Sequence, residues 1–301
     1  MGKSKLVPSI QHEATEFVKI MKKQAGTPAP IPNALTPAIF NVLWQMVASK
    51  SYEFDDQELV DIGNLLNEIR ENFAPFFMLD IFPWVKIILP EFVLNFVTKK
   101  DKFTALSKLL ESKLTFKDLV NCIADLFVGG LDSTSNSIIW AIFYLAKFPE
   151  VQKKVQEEMD EFVPRETLVT LEHKSSVFDG GFRYSSLAPF GAFHSSLLTQ
   201  SSLVTQSLRC SIISPTYSSI HFDPKYFDSP KEFRPERFLT PEGKFENPKE
   251  GFFPFGNGKR QCLGESLART EIFIFLVTMM QELQFSVPSN KTLDLKPLAI
   301  L

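Results

Sequence analysis

The sequence predicts a mostly α-helical protein, a helical bundle with small β elements, and three observations carry that prediction. Apolar residues recur at helical spacing over long stretches, above all between about Thr115 and Phe148. Proline opens or restarts such stretches, as in "FPEVQKKVQEEMDEF" at 148–162. Turn and short-strand character is confined to the Ser-rich region 180–222 and the tail "VPSNKTLDLKPLAIL".

Taken in order, residues 9–24 read as an amphipathic helix with Ala14, Phe17 and Met21 on one face. "IPNALTPAIFNVLWQMV" reads as a proline-opened helix, and residues 57–78 as another. "IFPWVKIILPEFVLNFV" (81–97) is apolar but broken by two prolines, Lys86 and Glu91, which suits either a segment lying on a membrane surface or ordinary buried helix ends. Thr115 with Asp118 resembles a capping box, opening a helix roughly 50 Å long. Pro149 then restarts a helix with a charged outer face. No Asp or Glu occurs between Asp179 and Asp223. "HFDPKYFDSPKEFRPERFLTPEGKF" (221–245), dense in proline and aromatics, predicts an ordered irregular loop, and 265–282 a last helix.

Hydrophobic residues at 44% supply a substantial core. Thirty phenylalanines against five tyrosines and three tryptophans predict deep apolar packing or walls around an apolar ligand. A net charge of −3 from 32 basic and 35 acidic residues argues against a nucleic-acid partner. Cys122, Cys210 and Cys262 are odd in number and form no C-x-x-C pair, against a disulfide framework or a structural zinc site and for a reducing, cytosol-facing compartment. The N-terminus lacks a signal-peptide core, and Leu6 stands where N-myristoylation wants Ser or Thr. No run of about 18 uncharged apolar residues predicts a transmembrane helix.

Chemistry concentrates in "FFPFGNGKRQCLGESLAR" (252–269). Gly256, Gly258 and Gly264 permit close approach of something flat or bulky to the backbone around Cys262. The helix amides that follow, with Lys259 and Arg260, favour a thiolate over a thiol. One thiolate without a second protein ligand cannot complete a zinc site, but it can be the single axial ligand of haem iron. Arg260 can then pair with an anionic group on the cofactor. A phosphate loop fits poorly because Arg260 follows Lys259. A catalytic cysteine lacks a local base, and a buried structural cysteine is the ordinary alternative.

A second feature lies within "CIADLFVGGLDSTSNSIIWAIF". Gly129 and Gly130 sit mid-helix, where each costs about 1 kcal/mol relative to Ala. Asp132, Ser133 and Thr134 follow at once in an apolar run, where polar groups need partners. The combination predicts a groove and a proton route at the middle of the helix, against the plainer reading of a hydrated packing defect.

Phe255-Gly256-Asn257-Gly258-Lys259-Arg260-Gln261-Cys262-Leu263-Gly264 resembles the cysteine-loop signature of the cytochrome P450 family, F-x-x-G-x-R-x-C-x-G, at every specified position. Gly129-Gly130-Leu131-Asp132-Ser133 resembles the family's oxygen-binding motif, [AG]-G-x-[DE]-T, with serine for threonine. "FRPERF" (233–238), "PEVQKKVQEEMDEF" and "SSLAPFGAFH" (185–194) resemble further family segments of the microsomal, animal-type branch. The resemblance implies a partial cytochrome P450-like fold and haem b with Cys262 as proximal iron ligand. Phe255 would shield the sulfur, Arg260 and His194 would meet propionates, and Asp132 and Ser133 would deliver protons. It further implies O2 as co-substrate, electrons from NADPH-cytochrome P450 reductase, an apolar small-molecule substrate, and the cytosolic face of the endoplasmic reticulum membrane. Without an anchor, the alternative location is the cytoplasm with peripheral membrane contact at most.

Four departures accompany the resemblance. Arg183, in "GGFRYSSLAP", stands at the arginine of the E-x-x-R motif, but Gly180 occupies the glutamate position and Asp179 lies one residue off register. That glutamate normally pairs with this arginine and with the one matched by Arg237; losing one partner of a buried charge network costs about 3–5 kcal/mol. Residues 195–217 replace a stretch carrying a G-Y-x-I-P-K-G strand. Only about twenty residues separate "FPWVKIILPEFVLNF" from "LTFKDLV", where the family has two helices. Finally, residues 1–301 are expected to be a single domain matching the C-terminal two-thirds of the family's own. The expected function is therefore a haem-thiolate monooxygenase, the alternative a non-catalytic, truncated or aberrantly spliced chain with impaired haem binding.

Overall fold

Seven helices carry the described fold, and their apolar stripes explain the arrangement. The computed structural model describes residues 3–71, 117–162, 182–186, 194–195, 200–201, 206–207, 211–242, 246, 248 and 250–293. The helices are α1 (Lys3–Lys22), α2 (Leu35–Ala48), α3 (Gln57–Glu71), α4 (Lys117–Lys147), α5 (Pro149–Phe162), α6 (Tyr217–His221) and α7 (Glu265–Glu282). In α7 every side chain from Glu271 to Val277 is buried. A helix apolar on all sides must lie inside a bundle, and α1, α4 and α5 pack around this one. Helix α2 bridges α1 to α4, and α3 rests on α2.

Aromatic rings fill the seams, as the phenylalanine count predicts. Phe40 lies 5.0 Å from Phe127 and 5.7 Å from Trp44, joining α2 to α4. Phe17 meets Phe275 at 6.3 Å between α1 and α7. A second cluster places Phe233 at 5.0 Å from Tyr144 and 5.2 Å from Phe148, so the loop after α6 is seated on the end of α4.

Buried amides do the remaining stitching. Asn41 donates from Nδ2 to Glu13 Oε2 at 3.1 Å and to the Tyr52 carbonyl at 2.8 Å, while its Oδ1 accepts from the Tyr52 N–H at 3.1 Å. Gln152 donates to the carbonyls of Leu145 (3.1 Å) and Phe285 (2.8 Å) and accepts from the Phe285 N–H at 2.8 Å. Its amide gives the chain leaving α7 the pairing a strand would supply.

Among the described residues the strands form two antiparallel two-residue pairs. β1 (His194–Ser195) pairs with β4 (Ile212–Ile213), and β2 (Gln200–Ser201) with β3 (Gln206–Ser207). The predicted tail strands do not form within residues 287–293. Helix α1 begins six residues before its predicted start, whereas α5 and α7 match theirs. The segment 81–97, the Thr115 cap, Asp179, Gly180 and the end of the predicted 57–78 helix lie outside the described residues. Among the described residues no helix is long and apolar enough to cross a membrane.

One polar group interrupts the α7 core. Glu271 is 1% exposed, and Oε1 of its carboxyl has no hydrogen-bond partner. Burial pushes it up to about 8, opposed by a hydrogen bond with Thr134 of α4. Burial likewise raises Glu13 to about 7. Both native carboxyls hold protons that the unfolded chain releases near 4.5, so each contributes stability at low pH that is lost as pH rises through the folded value. Between pH 7 and 8 Glu271 is the main group of the two still titrating. Denaturant unfolding should show stability falling by about 1 to 1.5 kcal/mol across that interval in the native chain and by only about a third of that in Glu271→Gln, where Glu13 alone of the two remains.

Candidate haem-thiolate site

The cysteine loop is built by two left-handed glycines and one backbone bond. Gly256 (φ +79°) and Gly258 (φ +77°) occupy a region that side chains rarely adopt. At Gly256 a Cβ would also approach the Tyr217 hydroxyl to 3.1 Å. Between them Asn257 Oδ1 accepts from the Gly258 N–H at 2.7 Å, and a 3-10 turn runs over Gly258–Arg260. The Cys262 N–H then donates to the Phe255 carbonyl at 2.9 Å, closing the loop on itself. Gly264 has an ordinary φ of −86°, and a Cβ there would meet the cysteine sulfur at 3.8 Å, an ordinary contact.

The first turn of α7 holds this loop from behind. Glu265 accepts from Gln261 Nε2 at 2.6 Å and from Arg269 Nε at 2.9 Å. The Arg269 guanidinium lies 4.9 Å over the Phe255 ring, which meets Phe182 edge-on at 5.2 Å. Residues 259–263 all face solvent, Cys262 is a free exposed thiol, and Leu263 is 95% exposed. Phe255 is therefore bound to Phe182 and Arg269 and leaves the sulfur open. Arg260 is exposed and makes no ion pair among the described residues.

On α4 the predicted notch divides by face. Asp125, Leu126, Gly129 and Ser133 are exposed at helical spacing, a stripe open to solvent. A Cβ on Gly129 would meet nothing within 4 Å, whereas one on Gly130 would meet a Leu43 methyl at 3.2 Å. Gly129 thus floors the stripe, and Gly130 lets α2 approach α4. The Ser133 hydroxyl donates to the Gly129 carbonyl at 2.7 Å. Asp132 is half-buried, and its carbonyl accepts from Asn136 Nδ2 at 2.9 Å. Thr134 is 2% exposed and turned into the core toward Glu271. Three consecutive helical residues lie about 100° apart and cannot share one face, and Thr134 is the one of the three that is buried.

Arg183 is buried, as its place in the resemblance implies. Its guanidinium donates to the carbonyls of His221 (2.8 Å), Pro230 (3.0 Å) and Glu232 (3.1 Å) and sits 5.0 Å over the Phe227 ring. These partial charges take the place of the expected carboxylate, although Nε stays unpartnered and burial lowers the group to about 10. Arg237 pairs instead with Asp228 Oδ1 at 3.3 Å. His194 is described only through its backbone, opposite Ile213. Sequence reasoning passed over Glu271, His221 and Ser186; a charged residue inside "TEIFIFLV" was the available signal for the first.

Among the described residues no three His, Cys, Asp or Glu side chains gather to hold a bare metal ion. A metal at Cys262 would take its other ligands from the group that carries it. An open thiol beside an almost wholly exposed leucine, in a loop curled by left-handed glycines, fits a flat apolar macrocycle of that kind.

The profile of the family described as Cytochrome P450 matches residues 1–108 and 92–299. A protein named Cytochrome P450 2L1, from Panulirus argus, is 34% identical over 97% of this chain and 68% of its own length. Cytochrome P450 1A1 of Felis catus is 31% identical over 87% of this chain and 58% of its own length, and Cytochrome P450 2J2 of Homo sapiens is 27% identical over 98% and 66%. The chain thus spans between 58% and 68% of the length of these three relatives. With the family profile covering nearly all of its residues, the chain belongs to the cytochrome P450 family.

Proposed function

We propose that this chain binds haem through Cys262 and acts as a haem-thiolate monooxygenase on an apolar small molecule. The observation that carries the proposal is the free, exposed thiol at the head of α7, in a loop curled by the left-handed Gly256 and Gly258. Haem, when bound, supplies the oxygen activation; the protein supplies ligation, protons and shape. Cys262 would hold the haem iron through its sulfur. Arg260, without an ion pair among the described residues, and His194 meet the carboxylates of the macrocycle. Gly129 leaves the stripe on α4 flat enough for close approach.

Asp132 and Ser133 handle protons. To present its hydroxyl, Ser133 must leave the Gly129 carbonyl, and serine turns more freely than threonine because it lacks the methyl. Thr134 acts from behind, through Glu271, by holding α4 on α7. Electrons come from NADPH-cytochrome P450 reductase, and the working location is the cytosolic face of the endoplasmic reticulum. A second reading, a chain that does not turn over, is favoured by one observation: Arg183 has no carboxylate partner among the described residues.

The carbon monoxide spectrum of the reduced, haem-reconstituted chain decides between them. A red-shifted thiolate-type Soret band is expected, and Cys262→Ala should abolish it; a free-haem spectrum from the unaltered chain supports the second reading. Gly129→Ala should stabilise the haem-free chain by about 0.5–1 kcal/mol in thermal or denaturant unfolding, because helix propensity rises with nothing to clash. The same change should leave haem binding in titration within about twofold, because alanine is the motif's own alternative at this position.

A further inference from the structure

His221 ends α6 inside "SSIHFDP", and it is 1% exposed. Its ring lies between two chain segments. Nδ1 is 2.9 Å from the Ser186 hydroxyl, and Nε2 is 3.1 Å from the backbone nitrogen of Phe253, which opens the cysteine loop. Its carbonyl receives the Arg183 guanidinium at 2.8 Å. One residue therefore touches the helical turn at 182–186, ends α6, and holds the entry to the thiol.

The proton positions follow from donor counting. The Phe253 N–H can only donate, so Nε2 accepts and carries no proton. The Ser186 hydroxyl has a single proton, and it donates that proton to the Arg183 carbonyl at 2.9 Å. Ser186 Oγ is then the acceptor for an Nδ1–H. The ring is neutral, in the Nδ1–H tautomer, and every polar atom on it is satisfied. A second proton, on Nε2, would face the Phe253 N–H.

The surroundings agree. Burial and the nearby Arg183 charge lower the ring to about 4. Ser186, at φ +39°, is held in a conformation that serine seldom takes, with its N–H on the Phe182 carbonyl at 3.2 Å and its hydroxyl on Arg183. Strain at a non-glycine residue persists where its neighbours over-determine it, and here those neighbours are the buried arginine and the histidine. The Phe252 ring stacks at a tilt 5.8 Å from the imidazole.

We infer that His221 is a positioning residue for the cysteine loop: through Phe253 it couples the buried Arg183–Ser186 turn to the segment that presents Cys262. In this chain the link between the buried arginine and the thiol runs through a neutral imidazole and backbone carbonyls. The inference rests on Cys262 being the ligand only for its bearing on haem; the coupling itself belongs to the haem-free chain.

The test uses the full chain with Cys122→Ser and Cys210→Ser, so that Cys262 is the one thiol. Imidazole ¹⁵N shifts should report His221 as the Nδ1–H tautomer at pH 7; an Nε2–H tautomer overturns the inference. His221→Gln can still accept from Phe253 and donate to Ser186, whereas His221→Phe keeps a ring and loses both bonds. The rate of Cys262 alkylation should stay within about twofold of the parent in His221→Gln and rise about fivefold or more in His221→Phe. If His221→Phe does not fold, Ser186→Ala, which removes the Nδ1 partner together with the hydroxyl's bond to the Arg183 carbonyl, should raise the rate about two- to threefold. Equal rates in parent and variant overturn the inference. After haem loading, the parent should give the thiolate-type band and His221→Phe a thiol-type one. A parent without that band sinks the haem-thiolate reading and leaves the alkylation result to decide the positioning role.

Discussion

Everything the site needs hangs on one helix being buried all round. From Glu271 to Val277, α7 presents no face to water. Turning it by one residue, about 100°, would carry Glu271 away from Thr134 and Phe275 away from Phe17. Burying a Phe, Ile or Leu side chain is worth about 1.5–3 kcal/mol each, so the rotational setting of α7 is firmly fixed. Cys262 lies just two residues before the cap of that helix. Its position is thus inherited from a core that contains no catalytic group, and the hydrogen bond between Glu271 and Thr134 carries the same register across to α4.

The loop itself is restrained from three directions, each by a different kind of force. Backbone conformation sets its curl, at Gly256 and Gly258. Charge and ring contacts hold its base, through Glu265, Arg269 and Phe255. A buried imidazole fixes its entry at Phe253. None of these touches the sulfur, which is left free to take a ligand. Beneath them sits a cation with no anion among the described residues. Three carbonyl bonds and an aromatic face can stabilise Arg183, because hydrogen bonds to a charged group are each worth about 1.5–3 kcal/mol. The loss implied by Gly180 at the glutamate position is accordingly offset in part, with Nε as the unpaid remainder.

Legibility in the sequence followed the range of each interaction. Helix α5 was readable to the residue because proline at its first position is a local signal, and α7 because Gly264 precedes a stretch without Gly or Pro that runs into the apolar segment from Ile272. The cysteine loop was readable because its glycines act through their own backbone angles. Thr134 was grouped with Asp132 and Ser133 by adjacency, although helical geometry alone separates their faces. Glu271 was hidden because seven buried positions in succession show no period that marks one of them as special. His221 and Arg183 depend on carbonyls and an amide from distant segments, and backbone groups carry no side-chain signature that sequence spacing could reveal. The Ser-rich region was equally opaque, since two-residue strand pairs are set by their neighbours rather than by alternation.

The surfaces left open tie folding to binding. Leu263 and Leu126 expose apolar side chains beside the open thiol and on the open α4 stripe, and Gly129 forgoes the helix propensity an alanine would supply. Each is a small penalty in the haem-free chain, on the order of 1 kcal/mol. A group bound only by the folded chain stabilises it by RT ln(1 + [L]/Kd), about 4 kcal/mol at a thousandfold excess over Kd, which exceeds their sum. The same residues that weaken the empty scaffold are those a flat apolar macrocycle would cover. An exposed leucine at the tip of a glycine-curled loop is hard to justify by solubility or packing, and it makes physical sense as part of a surface completed by its ligand.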